Sequence, residues 1–259
     1  MNKLKKYLYT FSVFLSFFAF ISLFFIGFIE AHKDLNNTVA SASKKEQVDL
    51  SAGDVLAKVF ELNSENKHRE AIDLLVSAIK NQPQDSLLKT LLSTTFSLFL
   101  EAEIKTGENL IGENENNTQA YIKVAEAFEL LDNKAQALEI LLKAINKNPK
   151  DTMIWMNIAR LELKSNRPHE ALDVFKEVLR IDNKNSDAYN NIAFILLNNN
   201  KSTEKDIKMA LEYAQKANSI KSNKPEYMDT MAEAYYRNGD YYKSQELKAQ
   251  LKKLGINKL

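Results

Sequence analysis

Residues 152–185 read TMIWMNIARLELKSNRPHEALDVFKEVLRIDNKN, and two apolar stripes run through them at helical spacing. Trp155, Ile158 and Ala159 make the first; Ala171, Phe175 and Val178 make the second. Residues three and four apart share one face of a helix, so each stripe marks the buried side of one. A short polar turn holding Asn166 separates them, and Pro168 falls just inside the second helix, where a missing N–H is harmless. The pattern predicts two helices folded face to face, with small residues letting them come close.

The frame recurs on both sides. Residues 118–151 supply Tyr121, Val124, Ala125 and Phe128, then Ala137, Leu141, Ala144 and Pro149. Residues 52–85 supply Val55, Leu62, Ala71, Leu75, Ala78 and Pro83. In residues 186–224, Tyr189, Ile192, Ala193 and Leu196 precede Ala210, Ala214 and Ala217, with an insertion around NNNKSTEKD. There Thr203 and Asp206 make a capping pair that restarts the second helix. Residues 225–258 open with Pro225 at a first helical position and run through Met228, Met231, Ala232 and Tyr235 to a turn at Asn238-Gly239-Asp240. Residues 86–117 keep the length but lose the code, since Lys89 stands where an aromatic is expected. They are read as a degenerate sixth helix pair. The last helix, 241–254, sets Leu247, Leu251 and Leu254 on one side and lysines elsewhere, which suits an array ending in water.

Trp155-x2-Ile158-Ala159 followed by Ala171-x3-Phe175, in a 34-residue frame, resembles the tetratricopeptide repeat (TPR). The resemblance covers residues 52–258, about four-fifths of the chain. It implies an all-α, right-handed superhelix of antiparallel helix pairs, whose first helices line a concave groove for a peptide or helix of a partner protein. It implies no reaction. The small residue of the first helix, usually Gly in the family, is Ala125, Ala159, Ala193 and Ala232 here, with Ser93 in the degenerate unit, Val59 in the first, and Lys58 in an apolar slot. One subclass of the family holds a partner's C-terminal carboxylate with basic and amide side chains on successive first helices; Asn157, Arg160, Asn190 and Asn191 are the residues here that fall in such places.

Offset by one from the core stripe, a second stripe of each first helix faces away from its own partner helix. It reads Ile122/Glu126/Glu129, Met156/Arg160/Leu163, Asn190/Phe194/Leu197 and Asp229/Glu233/Tyr236 from the third unit on. Its middle is apolar. Met156, Leu163, Phe194 and Leu197, with Asn157, Arg160, Asn190 and Asn191 beside them, are therefore the candidate partner-binding groove. The alternative is that these side chains pack on the neighbouring unit or are covered by the chain itself.

Chemistry finds little support. Among 259 residues there is no cysteine, which excludes disulfides, thiol catalysis and cysteine zinc sites. His32, His68 and His169 stand apart in polar settings and read as solvated side chains, with no metal-ligand spacing. No phosphate-binding glycine loop and no nucleophile elbow occurs. The 35 basic and 34 acidic residues balance, so nothing draws the chain to nucleic acid at long range. The expectation is a protein without cofactor, metal or enzymatic activity.

Residues 7–29, YLYTFSVFLSFFAFISLFFIGFI, lack any charge and as a helix would be about 35 Å long, enough to cross a hydrocarbon core. Lys3, Lys5 and Lys6 precede them, which puts residues 1–6 in the cytoplasm and the array outside. Residues 30–51 are polar and aperiodic and read as a flexible tether. Ser12, Ser16 and Ala19 share one face on which two anchors would pack as a weak homodimer. Cleavage at Ala40-Ser41-Ala42 would instead release a soluble secreted form. The expectation is a single-pass anchor in a bacterial inner membrane, displaying a TPR adaptor in the periplasm. The layout is similar to membrane-tethered TPR components of cytochrome c maturation, secretion, pilus and envelope-assembly systems; the alternatives are the secreted form and a regulatory part of an enzyme complex.

Overall fold

The computed structural model of the protein describes residues 52–199 and 201–255, and every regular element among them is an α-helix. The expected anchor (7–29) and tether (30–51) lie outside these residues. Among the described residues no helix is long and apolar enough to cross a membrane. The helices are α1 (Ala52–Ser64), α2 (His68–Asn81), α3 (Ser86–Glu113), α4 (Thr118–Leu130), α5 (Lys134–Lys147), α6 (Thr152–Lys164), α7 (Pro168–Ile181), α8 (Ser186–Asn198), α9 (Glu204–Ile220), α10 (Pro225–Arg237) and α11 (Tyr241–Lys253). Contacts divide the described residues into two compact units, with the boundary between Phe99 and Leu100.

Four of the helix pairs, α1–α2, α4–α5, α6–α7 and α10–α11, turn by one device. Asn66, Asp132, Asn166 and Gly239 have φ of 58°, 56°, 56° and 87°. Asn, Asp and Gly are the residues that tolerate this left-handed backbone. The next residue then donates its N–H to a carbonyl five positions back: Lys67 to Leu62 and Asn133 to Phe128 at 2.8 Å, Arg167 to Glu162 and Asp240 to Tyr235 at 2.9 Å. This satisfies carbonyls that the helix end would leave orphaned. The second helix restarts on a cap in several pairs: Asn133 accepts from the Gln136 N–H, Asp240 from that of Lys243, and Pro168 fills the first position of α7. In the longer α8–α9 turn, Thr203 and Asp206 form the reciprocal capping box that their spacing predicts.

Residues 86–117 correct one expectation. They hold no helix pair: α3 runs unbroken for 28 residues from Ser86 to Glu113. Asn66, Asp132, Asn166 and Gly239 each stand fourteen residues into their frames, and the same place in this one belongs to Leu100. Leucine does not supply a left-handed turn, and here its side chain is 3% exposed, so burial holds it in the helix.

In the first unit, Val55, Val59, Leu62, Ala71, Leu75 and Leu88 bury one another. His68 is a second correction, since it is buried. Its Nδ1 meets Asn63 Oδ1 at 3.0 Å, and Asn63 Nδ2 donates to Thr95 Oγ1 at 3.0 Å, so a short polar chain meets its hydrogen-bonding needs inside the protein. In the second unit, Ala137, Ala171 and Ala210 are wholly buried near the starts of the second helices, and Leu141, Phe175 and Ala214 four residues on are buried too. The stripe of residues 152–185 is the core that its spacing predicts. Gly107 of α3 lies so close to α4 that a Cβ there would sit 2.3 Å from Val124 Cγ2. At the end of the chain Leu251 is buried, whereas Leu254, expected on the same apolar side, is exposed beyond the end of α11.

Candidate functional site

The candidate groove residues sit on α6 and α8, whose starts are fixed by Asp151 and Asn185 accepting from the N–H groups of Met153 and Ala188. First helices α4 and α6 pack together, as do α8 and α10, whereas α6 and α8 approach less closely. Between them opens a cleft of about 170 Å³ lined by Met156, Asn157, Arg160, Leu163, Phe175 and Asn191. Five of the eight residues named from the sequence are thus brought together.

The other three are not. Leu197 is 3% exposed and belongs to the core of the second unit, so as a groove residue it is corrected. Phe194 is 49% exposed on the face of α8, outside the cleft. Asn190 is half-buried, and its Oδ1 is shut from solvent without a hydrogen-bond donor among the described residues. Sequence reading missed Phe175. Its stripe marks it as helix-pair core, which it is, yet it also contributes to the cleft lining because the first helices part above it.

The polar lining is already organised. Asn157 Nδ2 donates to the Met153 carbonyl at 2.9 Å, and its Oδ1 accepts from Arg160 Nη2 at 2.6 Å. Asn191 Nδ2 donates to the Asp187 carbonyl at 2.8 Å. Arg160 also lies 3.5 Å from Glu126 and 3.7 Å from Glu129, while Lys164 pairs with Glu129 at 2.5 Å. The Glu129 side chain is only 7% exposed, so these two cations answer a carboxylate that would be costly left alone. Arg160 and Glu126 stand one repeat apart, and that spacing is the signal from which the pairing was readable. A carboxylate clamp built on Arg160 would have to compete with Glu126 and Glu129.

At the start of α8, Asp187 accepts from Lys224 Nζ at 2.6 Å and from the Tyr227 hydroxyl at 2.7 Å, tying this repeat to the next. Burial pushes the Asp187 carboxyl up, but the hydrogen bonds from Lys224 and Tyr227 outweigh it and hold the group below its ordinary range. Burial likewise raises the Tyr227 phenol.

Cleft and hairpins together can be set beside known proteins. Family profiles described as tetratricopeptide repeat match residues 119–151, 154–185 and 174–206. Among solved structures, PilF of Pseudomonas aeruginosa is similar at a TM-score of 0.51 and 15% identity, over 77% of this chain and 90% of that one. MamA from Desulfovibrio magneticus RS-1 is similar at 0.50 and 16% identity, over 61% of this chain and 86% of that one. At such identities the likeness is one of fold. No curated protein sequence matches the chain. Residues 119–206 therefore carry tetratricopeptide repeats, the helical scaffold of protein–protein interaction.

Proposed function

We propose that the protein is a non-enzymatic adaptor, tethered to a membrane by residues 7–29 and displaying its repeats on the extracytoplasmic side, that holds a segment of another protein between α6 and α8. One observation carries the binding part: the cleft combines the apolar side chains Met156, Leu163 and Phe175 with a pre-formed polar rim. Such a mixture of apolar lining and a few fixed polar groups is what ligand sites use. A cavity of about 150 Å³ accepts a benzene-sized group, so a cleft of about 170 Å³ suits one bulky apolar side chain of the partner. The anchor rests on the uncharged run at 7–29 and its lysine flank.

Photo-crosslinking from position 194 in intact cells, read by mass spectrometry, tests the binding part. One protein should be captured, and Met156→Glu should abolish its capture; labelling that ignores Met156→Glu would refute the site. Alkaline extraction tests the tether: the chain should stay with the membrane pellet, and the intact mass of the mature protein separates an anchored form from a secreted one.

A further inference from the structure

The groove does not carry its charge evenly. Position for position along the repeats, Met156, Asn190 and Asp229 correspond, as do Arg160, Phe194 and Glu233. The acids of α4 on this face, Glu126 and Glu129, are answered by Arg160 and Lys164 of α6. Those of α10, Asp229 and Glu233, have no ion-pair partner among the described residues. Cations on α10, α11 and the turn before α10 are engaged elsewhere, Lys224 with Asp187. The Arg237 guanidinium donates to the Leu197 carbonyl, Lys243 pairs with Asp240, and Lys248 lies over the Tyr236 ring at 5.4 Å. Between the cleft and these acids stands Phe194, half-exposed on α8, which contributes no charge.

We infer that the segment held by this protein carries one bulky apolar residue for the cleft and a Lys or Arg about four residues away that lies against Asp229 and Glu233. The inference rests on the groove reading above and adds the partner's chemistry to it. Neighbouring helix axes lie roughly 8–10 Å apart, so the cleft between α6 and α8 is about 12–15 Å from the α10 face. An extended chain covers roughly 3.3–3.6 Å per residue, which gives the spacing of about four. Phe194 lies under the intervening residues. An acidic segment would meet two uncompensated carboxylates and be disfavoured by like-charge repulsion.

Fluorescent ten-residue peptides with a single Phe anchor, carrying Lys, Glu or Ser four residues to either side, test this against the full-length chain by anisotropy at low and high salt. The Lys probe should bind roughly two- to fivefold more tightly than the Ser probe, lose that advantage in high salt, and lose it in the double variant Asp229→Asn, Glu233→Gln. Equal binding of the three probes, or a Lys advantage that survives the double variant, overturns the charge assignment. If such binding still needs the Phe anchor and still fails in Met156→Glu, the groove reading stands without it. Binding that ignores both the anchor and Met156→Glu overturns the groove reading itself, and no binding by the Lys probe overturns both.

Discussion

Replacing Gly107 with Ala tests the packing of α3 on α4 in a way that ordinary helix preference would not anticipate. In a helix interior Ala is better than Gly by about 1 kcal/mol, so on propensity alone Gly107→Ala should stabilise. Here the added Cβ would lie 2.3 Å from Val124 Cγ2 and 3.6 Å from the Ala120 carbonyl oxygen. Val124 is wholly buried and branched at Cβ, so it has little freedom to turn aside. Overpacking of this kind costs roughly 1–3 kcal/mol, and the net expectation is a loss of about 0–2 kcal/mol where propensity alone predicts a gain. Val124→Ala should cost about 2 kcal/mol by itself, through two lost methyl groups and the space they leave. Combined, the small side chain makes room for the new methyl, so the pair should be less damaging than the sum by about 1 kcal/mol or more. Urea unfolding of residues 52–259, followed by helical circular dichroism, measures all four corners of the cycle. A Gly107→Ala protein more stable than wild type by about 1 kcal/mol, or strictly additive effects, would show that the two helices do not touch there.

Other substitutions separate the remaining parts of the account. Asn166→Ala should cost about 1 kcal/mol because its φ of 56° disfavours a Cβ-bearing residue without a local hydrogen bond, whereas Asn166→Gly should be nearly neutral in the same urea titration. Leu197→Glu should cost more than about 3 kcal/mol through burial of a charge, while Phe194→Glu should stay within about 0.5 kcal/mol; equal effects would mean that the groove face of α8 is misassigned. Asp187 has a folded-state pKa held below its unfolded value, so its bonds to Lys224 and Tyr227 stabilise fully above about pH 5 and are lost as acid takes the pH below roughly 4 and through the folded value. Asp187→Asn should therefore flatten the fall in melting temperature between about pH 6 and pH 3, and an unchanged acid limb would count against the network.

The helix pairs were legible because their burial follows a period. Trp155/Ile158/Ala159 against Ala171/Phe175/Val178 is a local pattern, and local pattern is what a sequence states directly. The single helix at 86–113 was legible only in retrospect, through what Leu100 is not: the turn needs a residue that accepts positive φ, and the absence of one outweighed the repeat length. The burial of His68 is not legible locally, because its polar surroundings, Asn63 and Thr95, come from two helices and close over it. In the groove, spacing put Met156, Asn157, Arg160, Leu163 and Asn191 on one face, and they line one cleft. It did not show that α6 and α8 would part over Phe175, nor that Leu197 would turn inward, since both depend on how neighbouring repeats lean. The Arg160–Glu126 pair lay at one repeat length and needed only that positions be compared across units rather than along one helix.

If the gap between α6 and α8 receives an apolar side chain of a partner, binding must depend on the side chains that wall it. Titration of the Phe-anchored peptide into wild type and Met156→Glu, with the urea midpoint of each protein taken in parallel, tests it most directly. Because Met156 also packs against the core, Met156→Glu should lower the midpoint somewhat yet leave the protein fully folded without urea, and there bind the peptide at least tenfold more weakly; equal affinity, or a loss of binding that only follows unfolding, would refute the reading.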